Sequence, residues 1–280
     1  MKEPSLLVEN LSVTYNNGHN ALKNASFSIP GESITALVGI NGSGKSTLFK
    51  AIMGFVDSSG GKIEVLGGSV KDALKENLVA YVPQNEEIDW DFPVLVKDVV
   101  MMGRYGHMGI LKIPSKKDHE IVKDSMVKVG MLDLAHRQIS ELSGGQRKRV
   151  FLARALAQES QIILMDEPFT GIDVNTEEEI MGLLRQMKSQ GKVMLISTHN
   201  LGSVPEFCDR AILLNRTVLA EGDTSEVFTQ ENLTNAFEGV LRRYVLSATE
   251  LHNDDDQREV VVLSDDERPV VIYGGEDKSG

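Results

Sequence analysis

Apolar and polar positions change their period several times along this 280-residue chain, and each change marks an element. Ser5 to Tyr15 alternates with a period of two, the pattern of a half-buried strand, and Asn16-Asn17-Gly18 breaks it. Ala21 to Ile29 alternates again before Pro30-Gly31 turns the chain. Ser33 to Val38 is a β-rich apolar run, after which Thr47 to Met53 takes helical spacing and stops at Gly54. Gly60 to Leu66 and Val79 to Val82 predict two more strands, the second ending at Pro83-Gln84. Residues 94–102 and 118–130 have a spacing near 3.6, as in Ile121, Val122, Met126 and Val129, and predict a helical insert with a glycine-bearing loop, Tyr105 to Pro114, between its helices. Gly144 to Gln158 reads as a helix that packs through Val150, Leu152, Ala153, Ala155 and Leu156. Ile162 to Met165 is apolar throughout and too short for a helix, which is the pattern of a central parallel strand. A helix over Thr176–Ser189, a strand over Lys192–Ser197 and a late hairpin starting at Ala211–Leu214 complete the pattern. The fold class expected is α/β, an N-terminal antiparallel β layer feeding a parallel core that carries a helical insert.

Composition adds limits. The chain is 41% hydrophobic and 25% charged, enough to bury a full core, and its length fits one large domain with an appendage. The formal net charge of −12 argues against nucleic acid as a partner, since neutralising phosphates needs a basic face. A single cysteine, Cys208, excludes an internal disulfide and fits a reducing compartment. No N-terminal stretch resembles a signal peptide and no run of ~18 apolar residues is present, so a soluble or peripheral protein is expected. Residues 247–280 carry ten acidic and three basic residues, a net of −7 and more than half of the total. Within them Glu259–Leu263 and Pro269–Tyr273 fit a small hairpin, and a disordered acidic tail fits the composition equally well.

The chemistry begins at Gly39-Ile40-Asn41-Gly42-Ser43-Gly44-Lys45-Ser46, which matches the spacing G-x-x-x-x-G-K-[ST] and is followed by Thr47. Glycines let consecutive backbone N–H groups curl around a phosphate chain, where a Cβ would obstruct them. Lys45 is expected to reach the β- and γ-phosphates and Ser46 to offer its hydroxyl to Mg²⁺. A strand enters and a helix leaves this loop, as a phosphate-binding loop requires, and the helix N-terminus adds its positive end. Downstream, Asp166 and Glu167 end the Ile162–Met165 run at the carboxyl edge of a strand, where ligands of open α/β sheets gather. Asp166 is expected to hold Mg²⁺ through its water shell, and Glu167 to orient and polarise the attacking water.

Leu142-Ser143-Gly144-Gly145-Gln146 stands directly before the 144–158 helix. Ser143 fits a helix N-cap, but capping alone does not explain two successive glycines followed by Gln-Arg-Lys-Arg. With the phosphate loop and the acidic pair, this segment resembles the signature of the ATP-binding cassette family, over residues 5 to about 230. The resemblance implies a P-loop NTPase core in which Ser143, Gly144, Gly145 and Gln146 meet the nucleotide held by an opposite subunit. It implies adenine stacking by Tyr15, a link from Gln84 between the Mg²⁺ and water site and a membrane partner, a γ-phosphate contact by His199, and a subunit-crossing role for Asp173. Asn200 stands where the family usually has Asp, and Thr170-Gly171-Ile172 departs from the commoner Ser-Ala-Leu.

The lysine loop and the signature both seek the same phosphate, and the implied solution is a head-to-tail pair of copies with two ATP molecules between them. The domain reading that follows is a cassette ATPase over 1–246, with its insert at about 85–158, and the acidic extension 247–280. Asn85 to Val94 with Val99 to Arg104 resembles the corresponding stretch in cassettes of bacterial manganese, zinc and chelated-iron importers, with Trp90 and Phe92 prominent in it. The partners so implied are integral membrane permease subunits and, through them, an extracytoplasmic metal-binding protein, with this chain peripheral on the cytoplasmic side of the membrane. Transport of another solute, export, or a soluble ATPase role remain as alternatives. The Asp-rich tail with His252 also suggests a regulatory or metal-sensing module.

Overall fold

A computed structural model describes residues 4–84, 93–237, 242–246, 260–264 and 270–273. Trp90, Phe92 and His252 lie outside the described residues.

Strands β1 (Leu6–Thr14) and β2 (Asn20–Ile29) form the first antiparallel pair. The inward residues of β1 run Leu6, Val8, then Leu11 and Val13, so the alternation slips by one. A register shift between Val8 and Leu11, with Asn10 at φ +50°, absorbs the slip and keeps all four in the core. Strand β3 (Ile34–Val38) enters the phosphate loop and α1 (Lys45–Ile52) leaves it. β4 (Gly60–Val65) joins β1, and β5 (Gly68–Ser69) leads into α2 (Val70–Lys75), which Ser69 caps by accepting from Asp72 N–H. The first sheet therefore has the order β2-β1-β4-β5.

After β6 (Val79–Val82), helices α3 (Val96–Met102) and α4 (Lys116–Lys128) form the insert and pack on α5 (Gly144–Ala157). The chain continues through β7 (Ile162–Asp166), α6 (Val174–Ser189), β8 (Val193–Thr198) and α7 (Val204–Phe207). The hairpin β9 (Arg210–Asn215) and β10 (Thr217–Asp223) follows, then α8 (Thr224–Val227) and α9 (Gln230–Ala236). The second sheet has the order β10-β9-β3-β8-β7-β6, all parallel except β10.

Continuous apolar runs in the parallel strands follow from burial on both faces. Leu37, Leu164, Leu195 and Ile212 face the core shared with α1 and the antiparallel sheet. Their neighbours Ala36, Val38, Ile163, Met165, Ile196 and Leu213 face the core built with α5, α6 and the insert. This sandwiched sheet brings the ends of β3, β7 and β8 to one edge.

Near the C-terminus, β11 (Arg242–Leu246), β12 (Val260–Ser264) and β13 (Val270–Tyr273) pair as an antiparallel three-stranded sheet. β11 precedes the boundary drawn at residue 246 and yet pairs with β12 beyond it.

Candidate functional site

The phosphate loop is built so that side chains are excluded where the backbone turns. A Cβ on Gly39 would lie 2.1 Å from the Leu214 carbonyl oxygen, and one on Gly44 would lie 2.6 Å from Leu22 Cδ2 and 2.7 Å from the Ala21 oxygen. Gly42 and Gly44 have φ of +82° and +104°, which glycine alone adopts without strain. Asn41 lies at the exposed turn between them and Gly39. The buried Lys45 folds its Nζ onto the carbonyls of Gly39 (2.6 Å) and Ile40 (3.1 Å). Burial pulls its pKa below the usual lysine value, while the charges of Glu167 and Asp166 pull it back up. The Ser43 hydroxyl is buried without a hydrogen-bond partner, an orphan a phosphate oxygen would satisfy. Tyr15, just past β1, sits 3.1 Å through its hydroxyl from Thr47 Oγ1 in the first turn of α1, which brings its ring to the mouth of the loop.

Across the sheet edge, Asp166 ends β7 and is almost fully buried. Ser197 on the adjacent β8 donates to Asp166 Oδ1 at 2.5 Å, and the same Oγ accepts from Glu167 N–H at 2.9 Å. Glu167 has φ +49°, a left-handed conformation in a residue that also precedes proline. Strain of this kind persists only where the surroundings hold it. Here the surroundings are dense: Glu167 Oε2 accepts from Gln84 Nε2 (2.7 Å) and Thr170 Oγ1 (3.3 Å) and stands 3.3 Å from His199 Nδ1. Lys148 Nζ bonds the carbonyls of Thr170 and, at 3.4 Å, Glu167. Partial burial lowers the Lys148 pKa and the Glu167 charge opposes that shift.

The sequence-derived residues thus converge as two groups. Ser46, Asp166 and Gln84 line one cleft, and Glu167, His199 and Asn200 line the next, where Thr170 joins them. Ser143, Gly144, Gly145, Gln146 and Asp173 line a separate cavity of about 520 Å³ that contains no residue of the phosphate loop. Ser143 caps α5 by accepting from Gln146 N–H (3.3 Å), and Gln146 Oε1 accepts from Ser143 N–H (3.0 Å). Helix capping therefore accounts for Gln146 as well as Ser143, and the two glycines are what it leaves over. Asp173 caps α6 through Thr176 N–H and Oγ1 (3.0 and 2.8 Å), and these bonds hold its carboxyl below the usual range.

Ser197, Thr170 and Lys148 were not singled out from sequence. Ser197 had a signal: a hydroxyl at the end of an apolar strand, fully buried here, demands a partner. Thr170 and Lys148 act through a turn and a helix that meet only in the fold.

Mg²⁺ fits the first cleft by donor chemistry, since Ser46, Asp166 and the side-chain carbonyl of Gln84 are hard oxygen ligands. Among the described residues no group of three or more His, Cys, Asp or Glu side chains forms a metal cage of its own.

Residues 22–170 match the family model described as ABC transporter. The chain is 60% identical over 271 residues to the chelated iron transport system membrane protein YfeB of Yersinia pestis, covering 97% of this chain and 92% of that one. It is 58% identical over 233 residues to the manganese transport system ATP-binding protein MntA of Synechocystis, covering 83% and 90%. A solved inward-facing metal-chelate type transporter superposes with a TM-score of 0.77 at 28% identity, covering 94% of this chain and 98% of that one.

Proposed function

Since the chain belongs to the ABC transporter family, we propose that it is the ATP-hydrolysing subunit of an importer for a divalent transition metal, Mn²⁺, Fe²⁺ or Zn²⁺. The relatives named for chelated iron and manganese transport support the cargo class. Metal passage falls to separate permease subunits, because among the described residues no helix is long and apolar enough to cross a membrane. The subunit then works peripherally on the cytoplasmic face, with a metal-binding protein on the far side delivering the ion.

The observation that carries the catalytic reading is the grip on Glu167 at the edge where the phosphate loop opens. Gly39–Thr47 cradles the nucleotide phosphates, with Lys45 leaving its carbonyl partners for the β- and γ-oxygens. Tyr15 stacks on the base. Ser46, Gln84 and Asp166 hold Mg²⁺, which when bound neutralises charge on the phosphates. Ser197 aims Asp166 and, by holding the backbone of Glu167, sets the carboxylate that takes a proton from the attacking water. His199 and Gln84 hold that carboxylate and sense the γ-phosphate beside it.

Because the signature residues line a cavity apart from the phosphate loop, they meet a nucleotide by facing the loop of a second copy. Two copies head to tail enclose two ATP molecules. Ser143 and the N–H groups of Gly144 and Gly145 close one nucleotide site from the opposite copy, and Asp173 crosses between them. ATP binding closes this pair and hydrolysis opens it, a two-state element that drives the permease. The test is to co-purify the chain with its membrane partner, reconstitute the complex and measure ATP turnover against each divalent ion. Stimulation by Mn²⁺, Fe²⁺ or Zn²⁺ supports the reading; turnover indifferent to all three contradicts the cargo assignment.

A further inference from the structure

The loop between α3 and α4 has a construction that neither catalysis nor the packing of the insert uses. Arg104 and Asp118 stand at its two stems, both buried, with Nε donating to Asp118 Oδ1 at 2.9 Å. Arg104 also donates through Nη1 to the Ala157 carbonyl and to Glu159, each at 2.8 Å, which fixes the base to the end of α5. Asp118 is further held by the Ser115 capping box. Hydrogen bonds from Ser115 and the Arg104 guanidinium hold its carboxyl far below the usual range. The base is locked in place.

The tip is apolar. Lys112 N–H donates to the Gly109 carbonyl at 3.0 Å, closing a turn whose two central residues are Ile110 and Leu111. Turn centres normally carry Gly, Pro, Asn, Asp or Ser. Ile110 is 99% exposed, Leu111 80% and Ile113 71%, while Met108 just before them is buried. Lys112 Nζ reaches back to the Tyr105 carbonyl at 2.6 Å and braces the turn. Three aliphatic side chains are thus held in water by a rigid support, which is costly unless something covers them.

Charge indicates what covers them. In a chain of net −12, no Asp or Glu occurs between Asp98 and Asp118, and that stretch holds Arg104, Lys112, Lys116 and Lys117. Arg104 is neutralised in the base, while Lys112 on the turn and Lys116 and Lys117 at the start of α4 are exposed, Lys116 only 3.9 Å from Glu120 and itself almost fully in solvent. Aliphatic side chains at a turn apex followed in the chain by exposed lysines match an anionic lipid surface, where the chains enter the headgroup boundary and the cations face the phosphates. We propose that residues 105–117 form a finger that inserts Ile110, Leu111 and Ile113 into the interface of an anionic bilayer, using the lysines as its electrostatic collar. This rests on the reading of the chain as a subunit that works at a membrane. Three aliphatics give weak, reversible binding, which orients a subunit already tethered to its permease.

The test uses the purified full chain and vesicles of phosphatidylcholine alone or with phosphatidylglycerol, in flotation assays without permease. Binding to the anionic vesicles is expected, falling by about tenfold in I110S/L111S/I113S and in K112E/K116E/K117E, and weakening as salt screens the collar. Unchanged ATP turnover in both variants checks that the fold is intact, since the finger is outside the nucleotide site. A fluorophore placed at Leu111→Cys, with Cys208 buried, is expected to shift to the blue on anionic vesicles. The proposal is overturned if wild-type binding equals that of I110S/L111S/I113S. It is equally overturned if the fluorophore responds only to vesicles holding the permease, which would make a protein the occupant. Either failure leaves the ATPase reading standing, because vesicle binding needs no hydrolysis.

Discussion

Ser197→Ala removes one hydroxyl from the centre of the site without enlarging anything, and its consequences follow from two bonds. Ser197 is fully buried, donates to Asp166 Oδ1 at 2.5 Å and accepts from Glu167 N–H at 2.9 Å. A hydrogen bond to a charged group contributes about 1.5–3 kcal/mol. The second bond is partly replaceable, because Glu167 N–H also lies 3.2 Å from the Ser197 carbonyl oxygen. A net loss of about 2 kcal/mol is expected, which for a chain of this size lowers Tm by roughly 4–8 °C. The functional effect is larger than the structural one: freeing the partner that orients a metal-binding carboxylate typically costs about 10–100-fold in metal affinity or activity. Titrating Mg²⁺ in an ATPase assay at saturating ATP should show the half-maximal concentration displaced upward by about tenfold or more. Thermal melts of the nucleotide-free variant give the stability term separately. An unchanged Mg²⁺ dependence, with or without a lower Tm, would show that Ser197 is mere packing and that Asp166 is not the metal's carboxylate.

Other expectations follow. Lys45→Ala should abolish nucleotide binding by calorimetric titration, and Gly39→Ala should do the same while also destabilising the chain, because its Cβ would meet the Leu214 backbone rather than a movable side chain. Lys148→Met removes the cation that ties α5 to the Thr170 and Glu167 carbonyls, so kcat should fall severalfold with little change in ATP affinity, and Lys148→Arg should recover part of it. Burial and the charge of Asp209 push the Cys208 thiol up to about 12, so at pH 8 its thiolate is about 1000-fold scarcer than that of a thiol titrating near 9. Native chain should therefore resist a thiol reagent that labels it promptly in denaturant, and alkaline pH should not expose it until the fold opens.

Much of this was legible in the sequence because the signals were backbone requirements. The phosphate loop announces itself through glycines that a Cβ would break, and the parallel strands through apolar runs with two buried faces. The antiparallel layer, the parallel core and the helical insert follow from the period of the pattern. Elements too short to show a period escaped: α2, α7 and α8 have four to six residues, and α2 is set by the Ser69 cap rather than by an apolar face. β11 lies next to α9 in sequence and pairs with a strand fourteen residues beyond its own end, which local pattern does not reveal. In the site, side chains proposed to meet the phosphate carry motif spacing, whereas those that hold other side chains do not. Ser197, Thr170 and Lys148 belong to the second kind. Glu167 was legible as an acid at a strand end, but its left-handed backbone was not, since nothing in a Glu-Pro dipeptide calls for it.

The central claim is that two copies share two nucleotides and that Glu167 activates the water that ends the shared state. The most direct measurement is the mass in solution of Glu167→Gln with Mg²⁺ and ATP, by light scattering, alongside its ATP turnover. The account predicts tight ATP binding, turnover reduced by at least about 100-fold and a stable dimer of two chains that disperses when ATP is withdrawn. A monomer at saturating ATP, or turnover equal to that of the unaltered chain, would contradict it.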